Sequence, residues 1–157
     1  VARLIAFAPA SEGDFERLLD LRIRVMRAQL ERIGRFDPAR ARARFREGFV
    51  PAHARLILVD GAVAGCVSLV PGDDGLELMH FYLEPALQGS GIGGEVLRRL
   101  CAEADARGLP VRLEVLKHSP ARRLYERHGF VFTHDDQWDD FLRRPVLGSH
   151  DRNRPGE

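Results

Sequence analysis

The chain has 157 residues, 45% of them hydrophobic and 30% charged, and its 24 basic and 23 acidic side chains leave a formal net charge of +1. That balance gives no electrostatic reason to expect nucleic acid or an anionic membrane as a partner, and no apolar run approaches the roughly 20 residues that a spanning helix needs. The opening VARLIAFAPASEGD turns acidic too soon to read as a secretory signal. Cys66 and Cys101 belong to no close Cys/His ligand spacing, so two buried thiols in a reducing cytoplasm are expected.

Residues 3–8 predict a short strand. Ser11, with Asp14 three positions on, has the form of a capping box and opens a helix running to about Ile33, where Gly34 ends it. Leu18, Leu21, Val25 and Ala28 make its apolar stripe, flanked by Phe15, Leu19, Met26 and Ile33 and interrupted by Arg22 and Gln29. Asp37-Pro38 pairs an N-cap with a first-turn proline and starts a second helix that stops near Pro51. Arg40, Arg42, Arg44 and Arg46, spaced by two, scatter around that helix and read as a solvated face.

RLILVD and AVAGCVSLV flank Asp60-Gly61, a type I′ hairpin signal. After the turn PGDDG, LELMHFYLE gives a third strand, so three sequential strands are expected to be antiparallel, with Pro85 closing the run. From Gly91 to Arg107 the pattern is helical, with Ile92, Val96, Leu97 and Leu100 inward and Gly108 in the C-terminal glycine position. VRLEVL is the next strand, and strand, helix, strand in that order call for a right-handed crossover and parallel pairing. Ser119-Pro120 opens a short helix ending at Gly129, and residues 130–132 and 138–142 close as strands. His134, Asp135, Asp136, Asp139 and Asp140 surround Trp138 without a second ligand cluster, so a solvated loop is expected and no metal. The fold expected is α+β: a mixed, mainly antiparallel sheet flanked by helices, with one βαβ crossover. It forms a single domain over 1–145, followed by a flexible tail over 146–157.

Four glycines stand between positions 89 and 94, where a strand gives way to a helix. Unpaired N–H groups and the positive end of the helix dipole suit such a turn to a phosphate or pyrophosphate. Gly89-Ser90-Gly91-Ile92-Gly93-Gly94 satisfies G-x-G-x-x-G, and Glu114 lies about 20 residues on, where a dinucleotide fingerprint wants an acid. The context argues against that reading. A spacer with Pro85 separates strand from glycines, the preceding strands are hairpins, and the chain is short for two mononucleotide halves. No Lys-Ser/Thr follows the glycines, which excludes a Walker loop.

Gln88-x-x-Gly91-x-Gly93, preceded by LELMHFYLEP and followed after one strand by SPARRLYERHGF, resembles the GNAT N-acetyltransferase superfamily over roughly residues 3–142. The resemblance implies the acyl-CoA N-acyltransferase fold, with Gln88, Gly89, Ser90, Gly91, Ile92, Gly93 and Gly94 wrapping the pyrophosphate of acetyl-CoA. It also implies that pantetheine pairs with backbone near Leu83, as an added strand does. Members often carry Asn where this chain has Ser119, a shorter side chain that still caps a helix. Lys117 and His118 reach the cofactor phosphates or sit in solvent.

The resemblance implies acetyl transfer to a primary amine of a small molecule or peptide, in the cytoplasm, with neither nucleic acid nor membrane as partner and a homodimer left open. It places the family's proton-donating tyrosine at Tyr125 and, for some members, a catalytic glutamate at Glu77. By alternation Glu77 shares a strand face with Met79 and Phe81, whose apolar surroundings would raise its pKa unless a bulge resets the register. His80, on the other face, is the second candidate base, and bound water the third. Arg22 and Gln29 fall in the region that forms the acceptor side of the family's cleft; Arg22 clamps an acidic group of the acceptor, snorkels, or pairs with an internal acid. Neither cysteine is placed to carry an acyl group. A non-catalytic acyl-CoA-binding module on the same fold is the alternative.

Overall fold

The computed structural model describes residues 3–147. In chain order its elements are β1 (Ile5–Pro9), α1 (Phe15–Arg32), α2 (Pro38–Gly48), β2 (Ala54–Val59), β3 (Ala62–Pro71), β4 (Leu76–Leu83), α3 (Ile92–Ala106), β5 (Val111–Leu116), α4 (Ala121–Arg127), β6 (Val131–Asp135) and β7 (Asp139–Arg144). The strands form one sheet in the order β1-β2-β3-β4-β5-β7-β6. The β4–β5 pairing is parallel; β1–β2, β2–β3, β5–β7 and β6–β7 are antiparallel. This is the mixed, mainly antiparallel sheet that the strand and turn signals predict. The chain divides into two compact units, Val1–Val70 with Leu78–Gly93 and Pro71–Glu77 with Gly94–Glu157.

In the first unit, Ser11 and Asp14 make the expected capping box: Ser11 N donates to Asp14 Oδ2 at 2.8 Å, and the Ser11 side chain takes the reciprocal role. The box caps a short 3-10 turn, Glu12–Asp14, which continues into α1. Phe15, Leu18, Leu19 and Leu21 are buried, but further along the stripe Val25 is only half-buried and Ala28 is exposed. Helix α2 starts on the Asp37 carboxylate, which accepts from Ala39 N at 2.9 Å and Arg40 N at 3.4 Å, and buries Ala41 and Phe45 one turn apart. Phe15, Phe45 and Phe49 pack at centroid distances of 5.2–5.9 Å, Phe45 stacked on both of the others, and anchor a core with Leu18, Leu21, Leu56 and Cys66.

The arginines of α2, Arg40, Arg42, Arg44 and Arg46, are all exposed, the solvated face expected of them. Arg42 and Arg46, four apart and therefore on one side, pair with Glu16 and Glu12 and lie over the Phe15 ring. The β2–β3 hairpin turns at Asp60 (φ 51°) and Gly61 (φ 85°), the two left-handed residues a type I′ turn requires. A Cβ at Gly65 of β3 would lie 2.2 Å from Tyr82 O, so only glycine permits that approach.

In the second unit, the part of α3 from Gly94 onward buries Val96, Leu97, Leu100, Cys101 and Ala104. The sheet contributes buried Leu76, Val111, Leu113 and Leu142; Leu76 pairs with Val111, and Leu113 with Leu142. Asp105 holds Arg144 through two hydrogen bonds of 2.7 and 2.9 Å, and Arg144 Nε reaches His128 O at 2.9 Å. The last two strands sit later than predicted. Asp136 accepts from Trp138 N and Asp139 N and so makes the turn itself. Within the expected solvated loop, Asp140 is buried against Arg122 at 3.0 Å and Asp135 pairs with Lys117 at 2.8 Å. Leu147 N donates to Asp105 Oδ1 at 3.3 Å, so the expected tail begins in contact with the unit; residues 148–157 lie outside the described residues.

Candidate active site

The segment from β4 to α3 is a turn shaped by its own polar side chains. Pro85–Leu87 forms one 3-10 turn, and Gln88 is extended. Gln88 Nε2 donates back to Leu83 O at 3.3 Å, and Ser90 Oγ donates to Leu87 O. In the backbone near Leu83, where pantetheine is expected to pair, the Leu83 carbonyl therefore already accepts from the glutamine of the motif. Gly89 and Gly91 have φ of 77° and 86°, and a Cβ at either would meet nothing within 4 Å. Both positions need glycine for their backbone, and both open outward beside the start of α3, a 15-residue helix. The first turn of a helix has N–H groups with no partner inside the helix and carries partial positive charge. The turn therefore fits a pyrophosphate, and Gln88, Gly89, Ser90, Gly91, Ile92 and Gly93 lie together on it.

In the same unit, Arg22 of α1 meets His80 and Tyr82 of β4. Arg22 Nη1 donates to Tyr82 Oη at 2.9 Å, and His80 Nδ1 lies 3.3 Å from that oxygen. His80 is left-handed, with φ of 50°, an uncommon conformation for a residue with a side chain. This irregularity interrupts the alternation assumed for β4. Its ring stands edge-on to Phe45 at 4.9 Å. A Cβ at Gly48 would lie 2.4 Å from His80 Nε2, so the end of α2 depends on glycine to admit the ring. Burial, then the Arg22 charge, push the His80 pKa down to about 4, leaving the imidazole neutral near pH 7. Arginine only donates, so Tyr82 Oη accepts from Arg22, while the direction of the contact between Tyr82 Oη and His80 Nδ1 follows the imidazole tautomer. Arg22 Nε and His80 Nε2 are buried without hydrogen-bond partners. Tyr82 was not among the predicted site residues, because an aromatic on a buried strand reads as core; its position two residues after His80 was the available signal. Gln29 lies two turns along α1 from Arg22 and is half-buried.

Cys66 Sγ donates to His80 O at 3.3 Å, and burial pushes its thiol up to about 12. Burial also raises Cys101, in the second unit. Neither thiol ionises near neutral pH, which leaves each a poor nucleophile.

The second unit holds Glu77, Gly94, Ser119 and Tyr125. Glu77 is exposed, so the apolar surroundings expected for its carboxylate are not found. It precedes the irregularity at His80 and takes the outward position between buried Leu76 and Leu78. Ser119 Oγ accepts from Ala121 N at 3.2 Å and so caps α4. Tyr125, half-buried on α4, meets Phe130 edge-on at 5.7 Å, and its carbonyl accepts from the N–H groups of His128 and Phe130. Lys117 is paired with Asp135 rather than free in solvent.

The sequence model of the Acetyltransferase (GNAT) family matches residues 15–130. The chain belongs to the GNAT acetyltransferase family. Its acetyl donor is acetyl-CoA, which the glycine turn fits. No curated protein matches this GNAT chain by sequence. Its fold is similar to the PaiA N-acetyltransferase of Thermoplasma acidophilum, solved with coenzyme A (TM-score 0.73, 18% identity, 91% of this chain and 99% of that one). It is also similar to the ribosomal-protein-S18-alanine N-acetyltransferase of Escherichia coli (TM-score 0.69, 18% identity, 91% and 94%). An acetyltransferase from Thermus thermophilus superposes at TM-score 0.69 with 20% identity over 90% and 97% of the two chains. At these identities the likeness speaks for the GNAT fold. No helix among the described residues is long and apolar enough to cross a membrane.

Proposed function

We propose that this GNAT protein is an N-acetyltransferase that moves an acetyl group directly to a primary amine of a small molecule or peptide in a ternary complex, in the cytoplasm. The observation that carries the reading is the left-handed pair Gly89 and Gly91, open outward at the start of α3. Acetyl-CoA supplies the activated thioester. In this reading the backbone of Gln88 to Gly94 holds its pyrophosphate, Leu83 lies along its pantetheine arm, and Ser119 is a further cofactor contact. Direct transfer is supported by the cysteines: with Cys66 pushed up to about 12 and Cys101 also raised, neither offers a thiolate to carry an acyl group.

Tyr125 Oη gives its phenol proton to the departing sulfur. Deprotonation of the amine falls to Glu77, directly or through water. His80 Nδ1 is engaged with Tyr82 Oη and Nε2 is buried, which argues for His80 as a fixed polar group. Arg22 and Gln29 line the acceptor side.

Calorimetry with acetyl-CoA and with NAD, followed by thiol release with an amine panel, tests the reading. Micromolar acetyl-CoA binding with turnover is expected. Replacing Tyr125 by Phe should lower kcat by about 10²-fold or more while leaving KM for acetyl-CoA nearly unchanged. Binding without turnover on any amine would leave an acyl-CoA-binding module instead, and NAD binding without an acetyl-CoA response would end the reading.

A further inference from the structure

Arg22 is the place where the charges of α1 do not balance. Its neighbours on that helix each hold a carboxylate: Arg17 holds Asp14 at 2.5 Å, Arg24 holds Asp20 and Glu84 at 2.5 and 2.7 Å, and Arg27 holds Glu31 at 2.8 Å. All three are exposed. Arg22 is half-buried and has no carboxylate within ion-pair reach among the described residues. This inverts the usual order, since a cation withdrawn from water needs a counter-charge more than an exposed one does.

The way Arg22 is held makes the imbalance specific. Nη1 is fixed on Tyr82 Oη at 2.9 Å, the guanidinium carbon lies 5.9 Å from the tyrosine ring centroid, and Tyr82 is in turn tied to His80. The opposite edge, Nε with Nη2, is unused, and Nε is buried without an acceptor. That edge presents two parallel N–H groups, the fork with which arginine takes a carboxylate side-on. Every group that fixes the fork is neutral, and His80 is held neutral beside it. The cluster therefore has cationic charge and oriented donors, with no acid of its own to satisfy them.

We propose that the acceptor is a small amine that also carries a carboxylate, and that Arg22 holds this carboxylate on its Nε–Nη2 edge, with Tyr82 and His80 fixing the guanidinium. The proposal rests on the reading of the chain as an N-acetyltransferase and names the chemical class of its acceptor.

The test uses matched pairs differing only in charge: glycine, β-alanine, aspartate and glutamate against their carboxamides. Thiol release is followed with acetyl-CoA saturating. At least one carboxylate should exceed its amide in kcat/KM by roughly tenfold to a hundredfold. Arg22→Met should abolish the preference and Arg22→Lys, which keeps charge without the fork, should restore it only in part. Acetyl-CoA affinity, measured by calorimetry, should be the same in both variants, which also shows that they fold. Equal use of acids and amides, or a preference surviving Arg22→Met, overturns the proposal. So does a loss of acetyl-CoA affinity in place of the preference, since Arg22 would then serve the cofactor. If no amine turns over, the transferase reading fails separately. Calorimetry of the same acids against the CoA-loaded protein then decides the inference: Arg22-dependent binding of the acids alone upholds it, and its absence sinks it.

Discussion

At the scale of single residues, Gly91 shows how one missing side chain shapes the turn proposed to hold the pyrophosphate. Its φ of 86° is reached cheaply only by glycine, and the space beyond its Cα is open. Gly91→Asp adds backbone strain and puts a negative charge where phosphate should approach. We expect its affinity for acetyl-CoA to fall by about 10²-fold or more in calorimetry, with the fold retained; affinity equal to wild type would show that the pyrophosphate lies elsewhere. The turn was legible from sequence because glycine spacing carries its geometry on its face. Arg22 was visible as a polar break in an apolar stripe, though not its orientation, which depends on Tyr82, 60 residues away along the chain. Glu77 was misjudged in its surroundings for a related reason. Alternation along β4 assumes a regular strand, and His80, an ordinary residue with φ of 50°, leaves no compositional mark of the irregularity it makes.

At the scale of elements, the structure follows the sequence closely where local chemistry decides. The Ser11–Asp14 box, the Asp37 cap, the Asp60-Gly61 turn and β5 at Val111–Leu116 all form as their residues predict. Where tertiary contacts decide, the reading drifts: the stripe of α1 fades after Leu21, and Asp136 moves the final hairpin. Strand β3 shows the cost of one contact between elements. Gly65→Ala places a methyl 2.2 Å from Tyr82 O and about 3.0 Å from the Leu83 side chain, so β3 and β4 must part. Overpacking of this kind costs about 1–3 kcal/mol. A matching drop in urea midpoint is expected, together with weakened acetyl-CoA binding, because Leu83 leads into the glycine turn. Unchanged stability would show that the strands yield without loss.

At the scale of the whole molecule, acid should act in two stages. His80 has a folded pKa of about 4 against an ordinary 6.5, so the folded state favours its neutral form. The stabilisation is complete above pH 6.5 and is lost as pH falls through the interval down to about 4, because the unfolded chain binds the proton first. The loss is on the order of 3 kcal/mol. Asp105 is lowered chiefly by its hydrogen bond from Arg144, so its contribution is complete above the ordinary carboxylate range and is lost as pH falls through that range toward its lowered folded value. Denaturant titrations at a series of pH values should show the upper stage in wild type and not in His80→Gln; a stage that survives the substitution belongs to another group. The two cysteines add a consequence of a different kind. Cys66 lies buried in the first unit and Cys101 in the second. A thiol-alkylating reagent reaches either one only when its surroundings open. The two alkylation rates, resolved by mass spectrometry under mild denaturant, therefore act as separate clocks, one for each unit, and their coincidence or divergence reports whether the chain breathes as a single cooperative body.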